Sequence, residues 1–228
     1  MTVELSLPVY VIHYRAPDWC RKTVESLRSS DVPVEIIITN NGGDLTGINA
    51  RVIAAPANLG YAGAANIAIA DEPSAPLIVL TNHDVEVAED ALRRLVEAAR
   101  HPEAGVLGAN VGNGGGVRGD RSMDITWLDW TSGTCMLLRR ACLDEIGNLD
   151  ARLHSYCEDV DLGQREQRRM EGRQGRRDCG NQARFVHGFV VRPAPDSSKL
   201  DASSFQTAGL AWPSGSCGGP GPLERQGR

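Results

Sequence analysis

Aromatic residues are scarce: Phe, Trp and Tyr together make up 5% of the 228 residues. A core must then be built from Val, Ile, Leu and Ala, which suits a covered, largely parallel sheet and argues against an aromatic-rich β sandwich. There is no excess of positive charge. Lys+Arg number 24 against Asp+Glu 29, a formal net charge of -5, so nucleic acid is not the expected partner. No apolar run is long enough to cross a bilayer, and the opening MTVELSLPVYVIHYR has no basic region before its short apolar stretch. Cys20, Cys135, Cys142, Cys157, Cys179 and Cys217 form no C-x-x-C pair and no zinc-like spacing with His. These absences point to a reduced, cytoplasmic enzyme, free or peripheral to the inner face of the membrane. A phosphate loop of the G-x-x-x-x-G-K-[ST] kind is missing, and so is G-x-G-x-x-G after the first apolar run. That removes most support from loop-type nucleotide hydrolases and dinucleotide oxidoreductases. Finally, Val, Ile and Leu are missing from 171 to 182, and Pro, Gly and Ser crowd the chain from Arg192 onward. A segment of that composition buries little apolar surface, and it is expected to be loose.

What is present is an alternation of short apolar runs and helical patterns. Val9–His13, Val34–Thr39, Leu77–Thr81, Val106–Ala109 and Gly133–Leu138 are expected strands, and β-branched residues crowd the first two. Asp18 is expected to cap a helix carrying Trp19, Thr23, Val24 and Leu27. Ala88–Arg100 repeats apolar residues on one helical face, a short helix from Arg140 should end at Gly147, and another should run from near Cys157 to Arg169. Such alternation predicts an α/β fold with right-handed crossovers and helices on both faces of the sheet. Ligands bind such sheets at the carboxyl ends of the strands, which directs attention to His13–Tyr14, Asn40–Gly43 and Asn82–Val85.

Four segments carry chemistry. In Thr81-Asn82-His83-Asp84-Val85, a carboxylate follows a buried strand, where it can share a hard divalent cation with phosphate oxygens; a turn Asp with a capping role is the plainer alternative. In Ile36–Asp44, a side-chain amide at a strand end can meet a nucleobase edge, or simply close an ordinary Asn-Asn-Gly-Gly turn. Asn58–Asn66 (NLGYAGAAN) has the small residues that let a helix start approach a diphosphate. Tyr156–Leu162 (YCEDVDL) places three acids in four positions, which suits either a general base or a solvated helix start.

These segments, in this order, resemble the family-2 glycosyltransferases of GT-A fold, and within them a rhamnosyltransferase-like subgroup. The resemblance spans about Val9 to Leu162, with a further match at Phe185–Gly188. The family's V-D-N-G-S is met by Thr39-Asn40-Asn41-Gly42-Gly43, with Asn40 in place of Asp, and its L-N-P-D-V by Thr81–Val85, with His83 in place of Pro. Asn58–Asn66 matches N-L-G-F-A-G-G-N, Gly133–Arg140 matches G-A-x-M-L-I-R-R, and Glu158–Leu162 matches E-D-x-D-L. The resemblance implies a mainly parallel, helix-covered sheet in one domain over 1–190, its nucleotide-binding part to about 110 and its acceptor part from about 120, followed by an aberrant tail over 191–228. It implies transfer of a sugar from a UDP-, TDP- or GDP-linked donor to a glycan, lipid-linked or natural-product hydroxyl, with inversion and with Mg2+ or Mn2+. Donor contacts then fall on His13, Tyr14, Asn40, Asn58, Gly60, Asn66, Asn82 and Asp84. The metal would be held by Asp84 and His187, and Asp159 would be the base. Trp130, Gly133 and Glu158 lie on the acceptor side, where Trp127 and Trp130 can stack on a sugar. Two alternatives stay open: a catalytically impaired nucleotide-sugar-binding remnant, suggested by the disrupted stretch after 170, and a sugar nucleotidyltransferase, which should carry a basic Gly-rich loop where His13–Pro17 stands.

Overall fold

A strand whose successive residues are all apolar needs cover on both sides, and the chain supplies it. In β1 (Leu7–His13), Val9 and Val11 enter one buried layer, while Tyr10 and Ile12 enter the other. The first layer is closed by α1 (Pro17–Arg28), through Cys20, Val24 and Leu27, and by α3 (Ala91–Ala98), through Leu92 and Leu95. The second is closed by α2 (Gly60–Asp71), α4 (Arg140–Ile146) and α5 (Glu158–Gln174). Ala62, Ala64, Ala65 and Ala68 of α2 are completely buried, so small side chains bring that helix close to the sheet. Burial of each Leu, Ile or Val in these layers contributes about 1.5–3 kcal/mol. The computed structural model describes residues 6–111, 125–128, 130–174 and 183–193, with the backbone alone at 110–111, 125–128, 173–174 and 183–193.

The remaining strands are β2 (Val34–Asn40), β3 (Arg51–Ala54), β4 (Leu77–Asn82), β5 (Val85–Val87), β6 (Val106–Val111), β7 (Ile125–Leu128), β8 (Cys135–Arg139) and β9 (Ala183–Pro193). The sheet order is β3-β2-β1-β4-β8-β6-β9-β5, and β7 pairs with β9. β3, β2, β1 and β4 are mutually parallel, so their carboxyl ends share one edge. β8 runs against both β4 and β6, pairing Thr81 with Cys135 and Leu77 with Arg139. The start of β8 therefore reaches the edge where the parallel strands end.

The five expected strands are all present, while β3, β5, β7 and β9 were not expected. Asp18 does not cap α1. The helix begins at Pro17, whose missing N–H costs nothing in the first turn, and Asp18 lies one residue inside, paired with Arg21 at 2.8 Å. α3 begins at Ala91 rather than Ala88, and α5 extends five residues past Arg169. Gly147 ends α4 as expected, with a φ of 81° and its N–H on the Leu143 carbonyl at 2.7 Å. β9 continues to Pro193, three residues beyond the expected domain boundary. The stretch 175–182 and the tail from 194 lie outside the described residues.

Arg139 and Arg140 close the far edge of the sheet. Arg139 donates to the carbonyls of Ala99, His101 and Ala104, just after α3. Arg140 donates to those of Ile69 and Glu72 at the end of α2. Cations on carbonyls at helix carboxyl ends satisfy orphan acceptors and the helix dipole together.

Candidate active site

The edge where β1, β2 and β4 end is built by mutual hydrogen bonding of loops. His13 ends β1 fully buried. The Ala16 N–H donates to its Nε2 at 3.1 Å, so Nδ1 carries the proton and donates to Asn40 Oδ1 at 2.9 Å. Burial lowers the His13 pKa, holding the ring neutral. Asn40 Oδ1 also accepts from the Gly42 N–H, and its amide donates to the Gly43 carbonyl. The adjacent Asn41, 4% exposed, ties this turn to the next loop. Its amide donates to Asn58 Oδ1 at 2.9 Å and to the Gly60 carbonyl at 3.0 Å, and its oxygen accepts from the Leu59 N–H at 2.8 Å. Arg15 adopts a φ of 51° between the two turns, its guanidinium over the Tyr14 ring at 5.1 Å.

Asp84 sits in the tight turn joining β4 to β5. Thr23 of α1 fixes that turn: its hydroxyl donates to the His83 carbonyl at 2.7 Å and accepts from the Val85 N–H at 3.1 Å. His83 Nδ1–H donates to the Ile12 carbonyl at 3.0 Å, and the ring meets His13 edge-on. The half-buried Asp84 carboxylate has no hydrogen-bond or ion-pair partner among the described residues. No group of three or more His, Cys, Asp or Glu that could hold a metal occurs among them either. A lone carboxylate at this edge fits a hard cation that takes its other ligands from water and phosphate oxygens. His187 falls in β9, and its side chain lies outside the described residues, as does that of Trp127 in β7.

The acceptor-side residues meet the same edge through the start of β8. The Asn82 N–H donates to the Thr134 carbonyl at 2.9 Å, and the Gly133 N–H donates to Asp159 Oδ2 at 2.9 Å. Asp159 Oδ1 accepts from the Val160 N–H at 2.8 Å. One run of backbone thus links the strand end before Asp84 to the carboxylate of Asp159. Asp161 turns away to pair with Arg165, whose guanidinium also donates to the carbonyls of Ile146, Gly147 and Asn148. Trp130 is 44% exposed. The turn before α5 is strained: His154, Tyr156 and Cys157 have φ of 57°, 74° and 68°. A non-Gly residue held there costs about 1–3 kcal/mol, so tertiary contacts must fix it. Those contacts reach α2, where the Tyr61 N–H donates to Ser155 Oγ and the Ala62 N–H to the His154 carbonyl, both at 3.0 Å. Gly60 makes this approach possible, because a Cβ there would run into the His154 carbonyl.

Two residues expected at the donor make hydrogen bonds within the chain. Asn66, in the second turn of α2, is joined to the Leu149 backbone by two hydrogen bonds of 2.8 and 3.1 Å. Asn40 uses its carbonyl oxygen and one amide hydrogen inside its own turn. The sequence placed Asn41 and Tyr61 in singled-out segments and Thr23 on a helix face, but gave none of them, nor Ser155, the role seen here. A second Asn before Gly-Gly was the one available signal; the other three act through partners far away in the chain. None of the four described cysteines is in a disulfide, and burial pushes the Cys135 thiol up to about 12, which rules it out as a nucleophile at neutral pH.

Parallel strands that end at a shared edge, two interlocked loops there, and an inverted strand bringing acids to the same edge define a GT-A domain. Residues 9–162 match the model of Glycosyl transferase family 2, and the chain belongs to that family. The N-acetylglucosaminyl-diphospho-decaprenol L-rhamnosyltransferase of Mycobacterium tuberculosis (strain CDC 1551 / Oshkosh) is 28% identical over 213 residues, covering 70% of this chain and 69% of the relative. Among solved structures, residues 1–349 of S. aureus TarS superpose with a TM-score of 0.59 at 16% identity, over 84% of this chain and 61% of that one. The Pyrobaculum calidifontis mannosyltransferase PcManGT, in complex with GDP-Man and Mn2+, gives 0.63 at 16%, over 85% and 58%. The chain thus spans about three fifths of each of these two solved chains. Among the described residues, no helix is long and apolar enough to cross a membrane.

Proposed function

We propose that the chain transfers a sugar, L-rhamnose in the first instance, from a nucleoside-diphosphate donor to a hydroxyl of a lipid-linked glycan, with inversion at the anomeric carbon. The observation that carries this reading is the pair of carboxylates described above: Asp84 unpartnered at the end of β4, and Asp159 anchored on Gly133 beside the same edge. The choice of rhamnose and of a diphospholipid-linked acceptor follows the mycobacterial relative. Domain limits of about 1–190, with donor and acceptor parts meeting at β4 and β8, belong to the same proposal.

In this reading the two Asn-containing loops and the start of α2 receive the nucleotide and its diphosphate. Asp84 would hold a divalent cation, which when bound would supply positive charge for the departing diphosphate. Asp159 accepts the proton of the acceptor hydroxyl as the new C–O bond forms and the bond to the diphosphate breaks, releasing nucleoside diphosphate. The Gly133 and Val160 N–H groups keep that carboxylate oriented. Trp130 offers an exposed ring face for a sugar.

The test is release of nucleoside diphosphate from UDP-, TDP- and GDP-linked sugars, with and without Mn2+, in the presence of N-acetylglucosaminyl-diphospho-polyprenol. Metal-dependent release from TDP-rhamnose is expected. Asp84→Ala should lose the metal dependence of donor binding, measured by calorimetry, while retaining the melting temperature of the parent. A variant that binds donor with its metal dependence intact removes Asp84 from the site.

A further inference from the structure

Glu158 opens α5 next to the proposed base, yet it is 5% exposed. The N–H groups of Tyr156 and of Glu158 itself donate to its carboxyl, and Oε2 is buried with no partner among the described residues. The carboxyl therefore holds the strained turn through one oxygen. Two titratable groups face it: Asp159 on its own helix, and the Tyr61 phenol of α2, with the Cys135 thiol of β8 beyond. No cation among the described residues balances it. A buried oxygen without a donor tolerates a proton far better than a charge. Burial, aided by the neighbouring Asp159 charge, pushes the group up to about 7.

We propose that Glu158 works as a neutral acid that gates the site: protonated, it leaves Asp159 as the one charge in the first turn of α5 without an arginine partner, Asp161 being paired with Arg165, and holds the Tyr156–Cys157 turn; ionised, it sets two such carboxylates side by side and disables transfer. This rests on the reading of Asp159 as base, and it makes Glu158 a positioning residue.

The sign of the linkage follows from the raised value. Between the ordinary glutamate range and about 7, the unfolded chain has lost a proton that the folded chain keeps, so stability contributed by the neutral acid is full at acid pH and is lost as pH rises through about 7. Two measurements on the whole chain test the proposal. In the first, thermal unfolding of the wild type and E158Q is followed from pH 4.5 to 8, and the wild type should lose stability relative to E158Q across that window. In the second, transfer from TDP-rhamnose should fall about fivefold between pH 7 and 8 in the wild type, as one group of that pKa ionises, whereas E158Q should hold its own acid-side rate through pH 8. Superimposable melting profiles overturn the proposal, and so do transfer profiles of the same shape. If neither protein transfers sugar at any pH but the melting difference is present, the transferase reading fails while the neutral acid stands. Should E158Q not fold, carboxyl 13C titration of glutamate-labelled wild type decides: a midpoint near 7 supports the proposal, and glutamates that all titrate in the ordinary range overturn it.

Discussion

The loops after β1 and β2 and the turn before α5, the proposed donor and acceptor sides, meet at one edge but are built in different ways. Around His13, Asn40 and Asn41, side chains and backbone satisfy one another within three loops, and the shared polar groups hold the pocket shape. Around Glu158 and Asp159, three non-glycine residues occupy left-handed backbone and a buried carboxylate oxygen has no partner among the described residues. The first region is held by its own hydrogen bonds, with Thr39 Oγ1 and His83 Nε2 left buried without a partner among the described residues. The second is held under strain by contacts from α2, so it depends on a different part of the chain for its geometry. Binding a donor needs a fixed surface, whereas moving a proton needs a carboxylate whose surroundings are poorly solvated.

Mutations can break this contrast. The largest expected effect is on turnover: Asp159→Asn keeps the shape and the acceptor capacity for Gly133 but removes basicity. Transfer should fall by about a hundredfold or more with donor affinity unchanged, measured by steady-state kinetics and calorimetry. An equal loss of donor binding would erase the distinction between the two regions. Next is Asn41→Ala, which strips the amide joining Asn58, Leu59 and Gly60. Leaving those buried groups unpaired should cost about 2–3 kcal/mol in chemical denaturation and raise the donor KM. A smaller change is expected from Asn66→Ala, which frees the Leu149 backbone and should cost about 1–2 kcal/mol. Because Leu149 precedes the strained turn, acceptor KM should rise while donor KM stays put. A rise in donor KM alone would return Asn66 to the nucleotide pocket.

The sheet was legible where burial on both faces forces continuous apolar runs, as in Val9–His13 and Leu77–Thr81. It was not legible at β3, an edge strand largely exposed, or at β5, a Val-Glu-Val segment too short to display a period. Gly147 announced the end of α4 because a left-handed C′ position favours one residue type. Asp18 misled because a first-turn acid and an N-cap look alike until the Pro beside it is placed. In the candidate site, Asp84 and Asp159 stood out as acids in a recognisable order, and their placement follows from β8 running against β4. The role of Asn66 was hidden for a physical reason: its partner, Leu149, is 83 residues away, and the local run of small residues suggested phosphate contact instead.

Arg139 and Arg140 carry a mechanical consequence. Consecutive in sequence, they reach helix ends in opposite layers, α3 on one side and α2 on the other, at the edge of the sheet remote from the acids. They act as a rivet driven through the thickness of the domain. A plate riveted along one margin flexes at the other, so displacement on ligand entry should concentrate in the turn before α5, while the hydrogen-bonded loops after β1 and β2 stay in place. The core is then spared the repacking that a free-floating α2 would demand.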